Sequence, residues 1–73
     1  MEIVYKIKEI RQKKGFTIRS LAAKSGVSKS EISDIERREI HPTVYTLCLL
    51  AHTLEVDVRE LFDYRASKIS DES

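Results

Sequence analysis

Residues 17–37 read TIRSLAAKSGVSKSEISDIER, and this segment carries the clearest structural signal in the chain. Thr17 is a natural N-cap, and the helical spacing of apolar residues after it stops at Gly26, since glycine readily adopts the left-handed backbone of a sharp turn. Ser28 and Glu31 have the spacing of a capping box, which marks the start of another helix. The segment therefore predicts two short helices joined by a tight turn.

Helical spacing continues on both sides of this segment, and no stretch alternates convincingly as a strand. Gly15 ends the first predicted helix, and Thr43 caps the fourth. Asp57 and Glu60 repeat the capping-box pattern before a short fifth helix. The buried face of the fourth helix is expected to hold Val44, Leu47, Leu50, Ala51 and Leu54. The five predicted helices cover residues 3–14, 18–25, 29–37, 44–54 and 57–64.

Length and composition limit the architecture to one small unit. Seventy-three residues allow one domain, and a hydrophobic fraction of 41% fills one tight core without leaving a spacious catalytic cavity. We expect an all-α protein, a compact five-helix bundle over residues 1–64 followed by a polar, flexible tail over residues 65–73. The chain has the size of a complete small protein and equally that of a domain cut from a longer one.

Charge is distributed unevenly along the chain. The net charge is only +1, but residues 1–38 hold ten basic and five acidic side chains, whereas residues 39–73 hold three basic and seven acidic ones. The molecule is therefore expected to have one face that attracts a polyanion and one that does not.

The cellular compartment is indicated by one cysteine and by the short apolar runs. Cys48 is the only cysteine, which excludes an internal disulfide and a cysteine-rich zinc site and fits a reducing environment. The longest apolar run has five residues, far fewer than the roughly 20 of a membrane span, and no signal peptide opens the chain. We expect a soluble cytoplasmic protein.

The third predicted helix has two faces of different chemistry. Ile32 and Ile35 share an inner face with Val27 of the turn. The outer face is short-chained, polar and partly basic, and holds Lys29, Ser30, Ser33, Asp34 and Arg37. Two short helices joined by a tight turn are the arrangement that presents such a face to the major groove of DNA. Serines permit close approach to base edges, and a lysine can donate to guanine or to a phosphate.

Positions spread over residues 3–63 match a known pattern that is specific only when they are taken together: Ile10-Arg11, Lys13-Lys14-Gly15, Leu21-Ala22, Gly26-Val27-Ser28, Ile32-Ser33, Ile35-Glu36, Pro42, Thr46-Leu47, Ala51, Leu54, Val56, Leu61 and Phe62. With this pattern the chain resembles the Cro and phage-repressor class of helix-turn-helix regulators, also called the xenobiotic-response-element (XRE) family. The resemblance implies a lambda-repressor-like bundle that binds operator DNA as a symmetric dimer, with its third helix in the major groove.

Roles for individual residues follow from the fold and the resemblance. The positions expected near bases are Lys29, Ser30, Ser33 and Asp34. The positions expected to contact phosphates are Thr17, Arg19, Ser28, Arg37 and Arg38. The resemblance also implies a structural salt bridge between Arg11 of the first helix and Glu36 at the end of the third.

Two residues depart from the family pattern. Ile18 stands where the family commonly has a glutamine that contacts a phosphate, which leaves that role to its two neighbours. Asp34 brings a carboxylate close to the phosphates. Asp34 therefore lowers the affinity for DNA unless its carboxylate accepts a hydrogen bond from cytosine N4 or orients Lys29 or Arg38.

Apolar residues outside the buried stripe of the fourth helix indicate a protein contact. Tyr45 and Leu49, with Val58 and Phe62 of the fifth helix, form a candidate dimer seam, although Phe62 equally suits the core. A rival interpretation is an antitoxin-like or antirepressor module that uses the same fold to bind a protein along Tyr45, Leu49 and Val58. A protein antagonist is a further candidate partner.

Other chemistry has weaker support. Glu31 could read a base, but the capping box already explains it. Cys48 and His52 stand four residues apart, which suits two zinc ligands, but the remaining ligands of a structural site are not evident. A nucleophilic Cys48 would need a base, and His41 lies in a loop without an orienting carboxylate. We therefore expect no enzymatic activity, no cofactor and no metal, and the expected partners are double-stranded DNA and a second copy of the chain, with no membrane.

Overall fold

The computed structural model describes residues 1–66, which form four α-helices, a 3₁₀ helix and a two-stranded sheet. The elements in chain order are β1 (Glu2–Tyr5), α1 (Ile7–Lys13), α2 (Ile18–Ser25), α3 (Lys29–Glu36), α4 (Val44–Leu54), the 3₁₀ helix (Val58–Leu61) and β2 (Phe62–Arg65). The helical prediction is confirmed for α1 to α4. The prediction of an all-α, five-helix bundle is wrong, because both ends of the described chain are strands.

The sheet pairs the two ends of the described chain. β1 and β2 are antiparallel, with Glu2 opposite Arg65 and Tyr5 opposite Phe62. Residues 3–5, predicted as the first turn of a helix, are β-branched or aromatic and suit a strand once a partner strand is available. Tyr5 Oη also lies 2.8 Å from Nδ1 of His41, which ties β1 to the loop before α4.

The predicted fifth helix divides into the 3₁₀ helix and β2. Asp57 caps the 3₁₀ helix in a complete capping box with Glu60, as predicted. The chain then extends at Phe62, because pairing with β1 satisfies its backbone groups and ends the helix. β2 ends at Arg65, one residue beyond the predicted domain boundary, and the predicted flexible tail from residue 67 onward lies outside the described residues.

Side-chain caps begin α2 and α4 at the predicted residues. The Thr17 and Thr43 hydroxyls each accept the backbone N–H of the residue three positions further on. The capping box predicted for α3 is only half present. The Ser28 hydroxyl accepts the Glu31 N–H at 3.1 Å, but the Glu31 carboxylate accepts the hydroxyl of Thr46 on α4 at 3.3 Å, so it links two helices instead.

One apolar core holds the four helices and the 3₁₀ helix together. Its buried residues are Ile7, Leu21, Val27, Ile32, Ile35, Leu47, Leu50, Ala51, Leu54 and Leu61. Val44 was expected on the buried face of α4, but 74% of it is exposed. Its neighbours Thr43 and Tyr45 are exposed too, and the buried face of α4 begins only at Thr46 and Leu47.

Candidate nucleic-acid interface

The predicted helix-turn-helix unit consists of α2, the three residues after it and α3. Gly26 ends α2 in the left-handed conformation, with φ of 83°. The buried hydroxyl of Ser25 accepts the N–H of Val27 at 3.1 Å, and Ser28 then caps α3. These local contacts fix the direction in which α3 leaves the turn.

The α3 helix is buried on one side and open on the other. Ile32 and Ile35 have no exposed surface, and Val27 of the turn is also buried. An open depression of about 220 Å³ lies on the outer side, lined by Lys29, Ser30, Ser33, Asp34 and Arg37. The four residues predicted near bases therefore share one surface with Arg37, and their contact with bases stays a prediction.

Charges on this surface are arranged unevenly. Arg37 Nη2 donates to Asp34 Oδ1 at 2.7 Å, and Arg37 Nε lies 3.6 Å from Glu39 Oε2. Asp34 is paired with Arg37, which stands one helical turn further along the same face, and not with Lys29 or Arg38. Within residues 1–66, Lys29 makes no salt bridge. The contact between Glu39 and Arg37 was not predicted from the sequence. The one signal for it in the sequence is that Glu39 follows Arg37 by two residues.

The five residues predicted to contact phosphates are all exposed: Thr17, Arg19, Ser28, Arg37 and Arg38. Thr17 uses its hydroxyl internally, because it accepts the Ser20 N–H at 3.0 Å and donates to the Ser20 hydroxyl at 3.1 Å. Among the described residues, the Ser28 hydroxyl accepts the Glu31 N–H and donates to no acceptor, so its own proton is available to an outside acceptor. Arg38 has a left-handed backbone with φ of 63°.

The predicted salt bridge between Arg11 and Glu36 is present in the structure. Arg11 donates from Nε and Nη2 to the two carboxylate oxygens of Glu36 at 2.8 and 3.0 Å, and from Nη1 to the carbonyl of Phe16 at 3.1 Å. The two side chains are only 9% and 7% exposed. The hydrogen bonds to Glu36 raise the pKa of the Arg11 guanidinium. The pair fastens the end of α3 to α1.

The candidate dimer seam divides into exposed and covered residues. Tyr45 is 72% exposed and stands beside the exposed Val44 on the first turn of α4. Leu49, Val58 and Phe62 are partly buried and pack against the core. A contact between copies of the chain stays a prediction. The most accessible apolar surface on α4 that could form it consists of Val44 and Tyr45.

Neither a metal site nor a membrane span is found in the described part of the chain. Among residues 1–66, no three His, Cys, Asp or Glu side chains are grouped so that they could hold a metal ion. Cys48 and His52 are both exposed on α4. Over the same residues, every helix is too short or too polar to cross a membrane.

The fold and the surface of α3 define a helix-turn-helix protein. A helix-turn-helix family model, HTH_3, matches residues 7–61, from the start of α1 to the end of the 3₁₀ helix. The chain belongs to this family, and the resemblance to XRE-type regulators is confirmed.

Relatives of the chain are transcriptional regulators. The HTH-type transcriptional regulator SlrR of Bacillus subtilis (strain 168) is 48% identical over 58 residues, which cover 78% of this chain and 38% of SlrR. The HTH-type transcriptional regulator SinR of the same organism is 39% identical over 59 residues, covering 80% of this chain and 53% of SinR. The chain therefore spans about half the length, or less, of these two relatives.

Solved structures share the fold. A complex of SinR with the protein SinI matches with a TM-score of 0.72 and 38% identity over 75% of this chain and 54% of that one. A structure of SinR in complex with DNA matches with a TM-score of 0.70 and 38% identity over 74% and 87%. The restriction-modification controller protein C.AhdI from Aeromonas hydrophila matches with a TM-score of 0.72 and 29% identity over 75% and 83%.

Proposed function

We propose that this chain is a sequence-specific, cytoplasmic, DNA-binding transcriptional repressor, which binds a palindromic operator as a homodimer with α3 in the major groove. The observation that carries the proposal is the outer face of α3, where Lys29, Ser30, Ser33 and Asp34 line one open depression above a fully buried inner face. The similarity to SinR, which has been solved in complex with DNA, supports it independently. The role is non-catalytic and needs no cofactor.

In the proposed complex, each side chain has a distinct task. Ser30 and Ser33 are short enough to let α3 approach base edges, and Lys29 at its first turn donates to guanine or to a phosphate. The residues assigned to phosphates are Thr17, Arg19, Ser28, Arg37 and Arg38. A two-fold axis sets the two α3 helices about 34 Å apart, so that they meet successive major grooves on one side of the duplex. Occupation of the operator then excludes polymerase.

Selection from a random DNA pool tests the proposal. The chain is incubated with random duplexes at near-physiological salt, and the bound fraction is recovered and sequenced. Enrichment of an inverted repeat whose half-sites are about one helical turn apart is the expected result. Weak, salt-sensitive binding without any enriched sequence would overturn it.

Substitutions on the two sides of α3 separate base contacts from phosphate contacts. Ser33→Ala is expected to change the preferred base at one position of the half-site, by about 1–3 kcal/mol of discrimination. Arg38→Ala is expected to weaken binding to all duplexes alike and to lower the salt slope by about one unit per protomer. Fluorescence anisotropy on the selected operator and its single-base variants measures both. Equal losses on every duplex for Ser33→Ala would remove that residue from the base contacts.

A second candidate function is binding to a protein partner or antagonist. It is favoured by the exposed apolar pair Val44 and Tyr45 and by the similarity to SinR, which has been solved in complex with SinI. A chain that binds DNA only weakly and without sequence preference, but forms a stable complex through Tyr45, would support this second function over the first.

A further inference from the structure

A cluster of three charges, defined here as the Arg37 cluster, lies at the C-terminal end of α3: Asp34 on the last turn, the C-cap Arg37, and Glu39 in the turn that follows. The guanidinium of Arg37 donates to Asp34 at 2.7 Å and lies 3.6 Å from Glu39. Two carboxylates thus surround one cation, so the cluster has a local net charge of −1. At the other end of the same helix, Lys29 has no ion-pair partner within residues 1–66. The cation at the start of α3 is therefore open to an outside acceptor, whereas the charge of Arg37 at its end is neutralised by neighbouring carboxylates.

The backbone builds this arrangement. Asp34 precedes Arg37 by one helical turn, which places both side chains on one face. After α3 the chain reverses through the left-handed Arg38, whose N–H donates to the Ile35 carbonyl at 3.0 Å. The Glu39 N–H then donates to the Asp34 carbonyl at 2.8 Å. This pair of bonds is a Schellman motif, and it holds Glu39 back against the last turn, beside Arg37.

The ion pairs of Arg37 are therefore weak enough to be exchanged for another acceptor. Ion pairs at the surface contribute only about 0–1 kcal/mol, so a stronger acceptor can displace a carboxylate. A phosphate is such an acceptor, because guanidinium and phosphate form two parallel charge-assisted hydrogen bonds. While Arg37 stays with its carboxylates, its charge is neutralised and adds no attraction to the phosphates of a duplex.

We propose that Asp34, assisted by Glu39, masks Arg37 in the free protein, and that Arg37 exchanges its carboxylates for a backbone phosphate only in the complex with the operator. Masking weakens binding to arbitrary DNA, where the fit is too poor to drive the exchange. At the operator, the released Asp34 is an acceptor that faces the groove and can take an amino hydrogen of cytosine or adenine. Asp34 is thus a specificity-determining residue. The inference rests on the proposed function.

The test compares affinity for the selected operator with affinity for a random duplex of equal length, by fluorescence anisotropy over a range of salt concentrations. Asp34→Asn keeps the shape of the side chain and removes its charge. It is expected to tighten binding to the random duplex by roughly fivefold and to steepen the salt slope there by about 0.9 per protomer, since one more phosphate is neutralised. The ratio of operator to random affinity falls. Glu39→Gln, whose contact is longer, is the matched control and gives a smaller change.

A double-mutant cycle separates masking from simple loss of a negative charge. In the Arg37→Ala background, Asp34→Asn is expected to give less than half of its effect, because no masked cation remains to be released. An equal effect in both backgrounds would overturn the proposal, as would an unchanged operator-to-random ratio in Asp34→Asn. Thermal unfolding confirms that each variant is folded. If the wild-type chain selects no operator, the proposed function itself is refuted. If it selects an operator but Asp34→Asn leaves the ratio of operator to random affinity unchanged, only the masking proposal is refuted.

Discussion

Arg11 and Glu36 show how a buried pair of charges can position a surface that it does not touch. Neither side chain is accessible enough to keep its hydration shell, so each depends on the other and, for Arg11, on the Phe16 carbonyl. Such a pair stabilises a fold only while both members are present. Since Glu36 is the last residue of α3 and Arg11 lies on α1, the pair sets the angle at which the outer face of α3 is presented.

Removing one member of this pair is expected to cost far more than removing both. Arg11→Leu leaves the Glu36 carboxylate buried without a partner and should lower the free energy of unfolding by about 3–5 kcal/mol. This is a large share of the roughly 5–15 kcal/mol of a typical domain. The double substitution Arg11→Leu/Glu36→Leu should recover most of the loss. Urea unfolding measures all three proteins, and a double variant as unstable as Arg11→Leu alone would contradict the explanation.

In residues 1–66, two residues other than glycine adopt a left-handed backbone, Arg38 after α3 and Glu55 after α4, with φ of 63° and 60°. Glycine at either site removes strain of about 1–2 kcal/mol and adds an entropic cost of about 0.5–1 kcal/mol. Both Arg38→Gly and Glu55→Gly should therefore unfold at slightly higher denaturant. Only Arg38→Gly should weaken binding to DNA, and it should do so on every duplex. Equal DNA affinity in the two variants would remove Arg38 from the phosphate contacts.

At the scale of elements, signals from neighbouring residues predict α2 and α4, whereas contacts between residues that are distant in the sequence are not predicted. Thr17, Gly26 and Thr43 act within three or four residues of themselves, so the bounds of both helices follow from the sequence. The outer face of α3 follows from spacing alone for the same reason. The contact between Arg37 and Glu39 does not, because Glu39 reaches Arg37 only through the left-handed turn at Arg38.

The strands are missed for a different physical reason. Residues 3–5 are a short apolar run that fits a helix and a strand equally well. Pairing with residues 62–65, at the other end of the described chain, makes residues 3–5 a strand. Helical spacing predicts a helix for residues 62–64 as well. Because β1 and β2 each supply the missing backbone partners of the other, neither can be assigned from its own residues.

The cap of the 3₁₀ helix makes a prediction about pH. Hydrogen bonds from the side chain and the backbone N–H of Arg59 lower the pKa of Asp57 from 3.8 to about 2. A carboxylate whose pKa is lower in the folded state contributes stability above its unfolded pKa, and this contribution is lost as the pH falls from about 4 toward 2. An NMR titration of Asp57 should therefore have its midpoint near pH 2, and Asp57→Asn should flatten the change in melting temperature between pH 4 and 2. A midpoint near 3.8 would show that Arg59 does not hold the carboxylate in solution.

At the scale of the whole molecule, the division of charge matters more than its sum. A net charge of +1 gives little long-range attraction to DNA, whereas the excess of basic residues before position 39 and of acidic residues after it gives the molecule a direction. Arg19, Lys29 and Arg38 all belong to the basic part, on or next to the helix-turn-helix unit. We expect most of the acidic part to point away from the duplex, so that its repulsion favours the orientation in which α3 meets the DNA.

Operator binding by two copies requires a contact between them, and the exposed start of α4 is the surface proposed for it. Tyr45→Ser is expected to raise the dissociation constant of the dimer at least tenfold, about 1.4 kcal/mol, because exposed tyrosines that become buried between proteins carry much of the binding energy. Affinity for the palindrome should fall with it, while affinity for an isolated half-site stays unchanged. Sedimentation equilibrium measures the first effect and fluorescence anisotropy the other two. Tyr64 is 63% exposed on β2 and provides the matched control, Tyr64→Ser. If Tyr64→Ser dissociates the dimer and Tyr45→Ser does not, the two copies meet through the sheet and the seam on α4 is wrong.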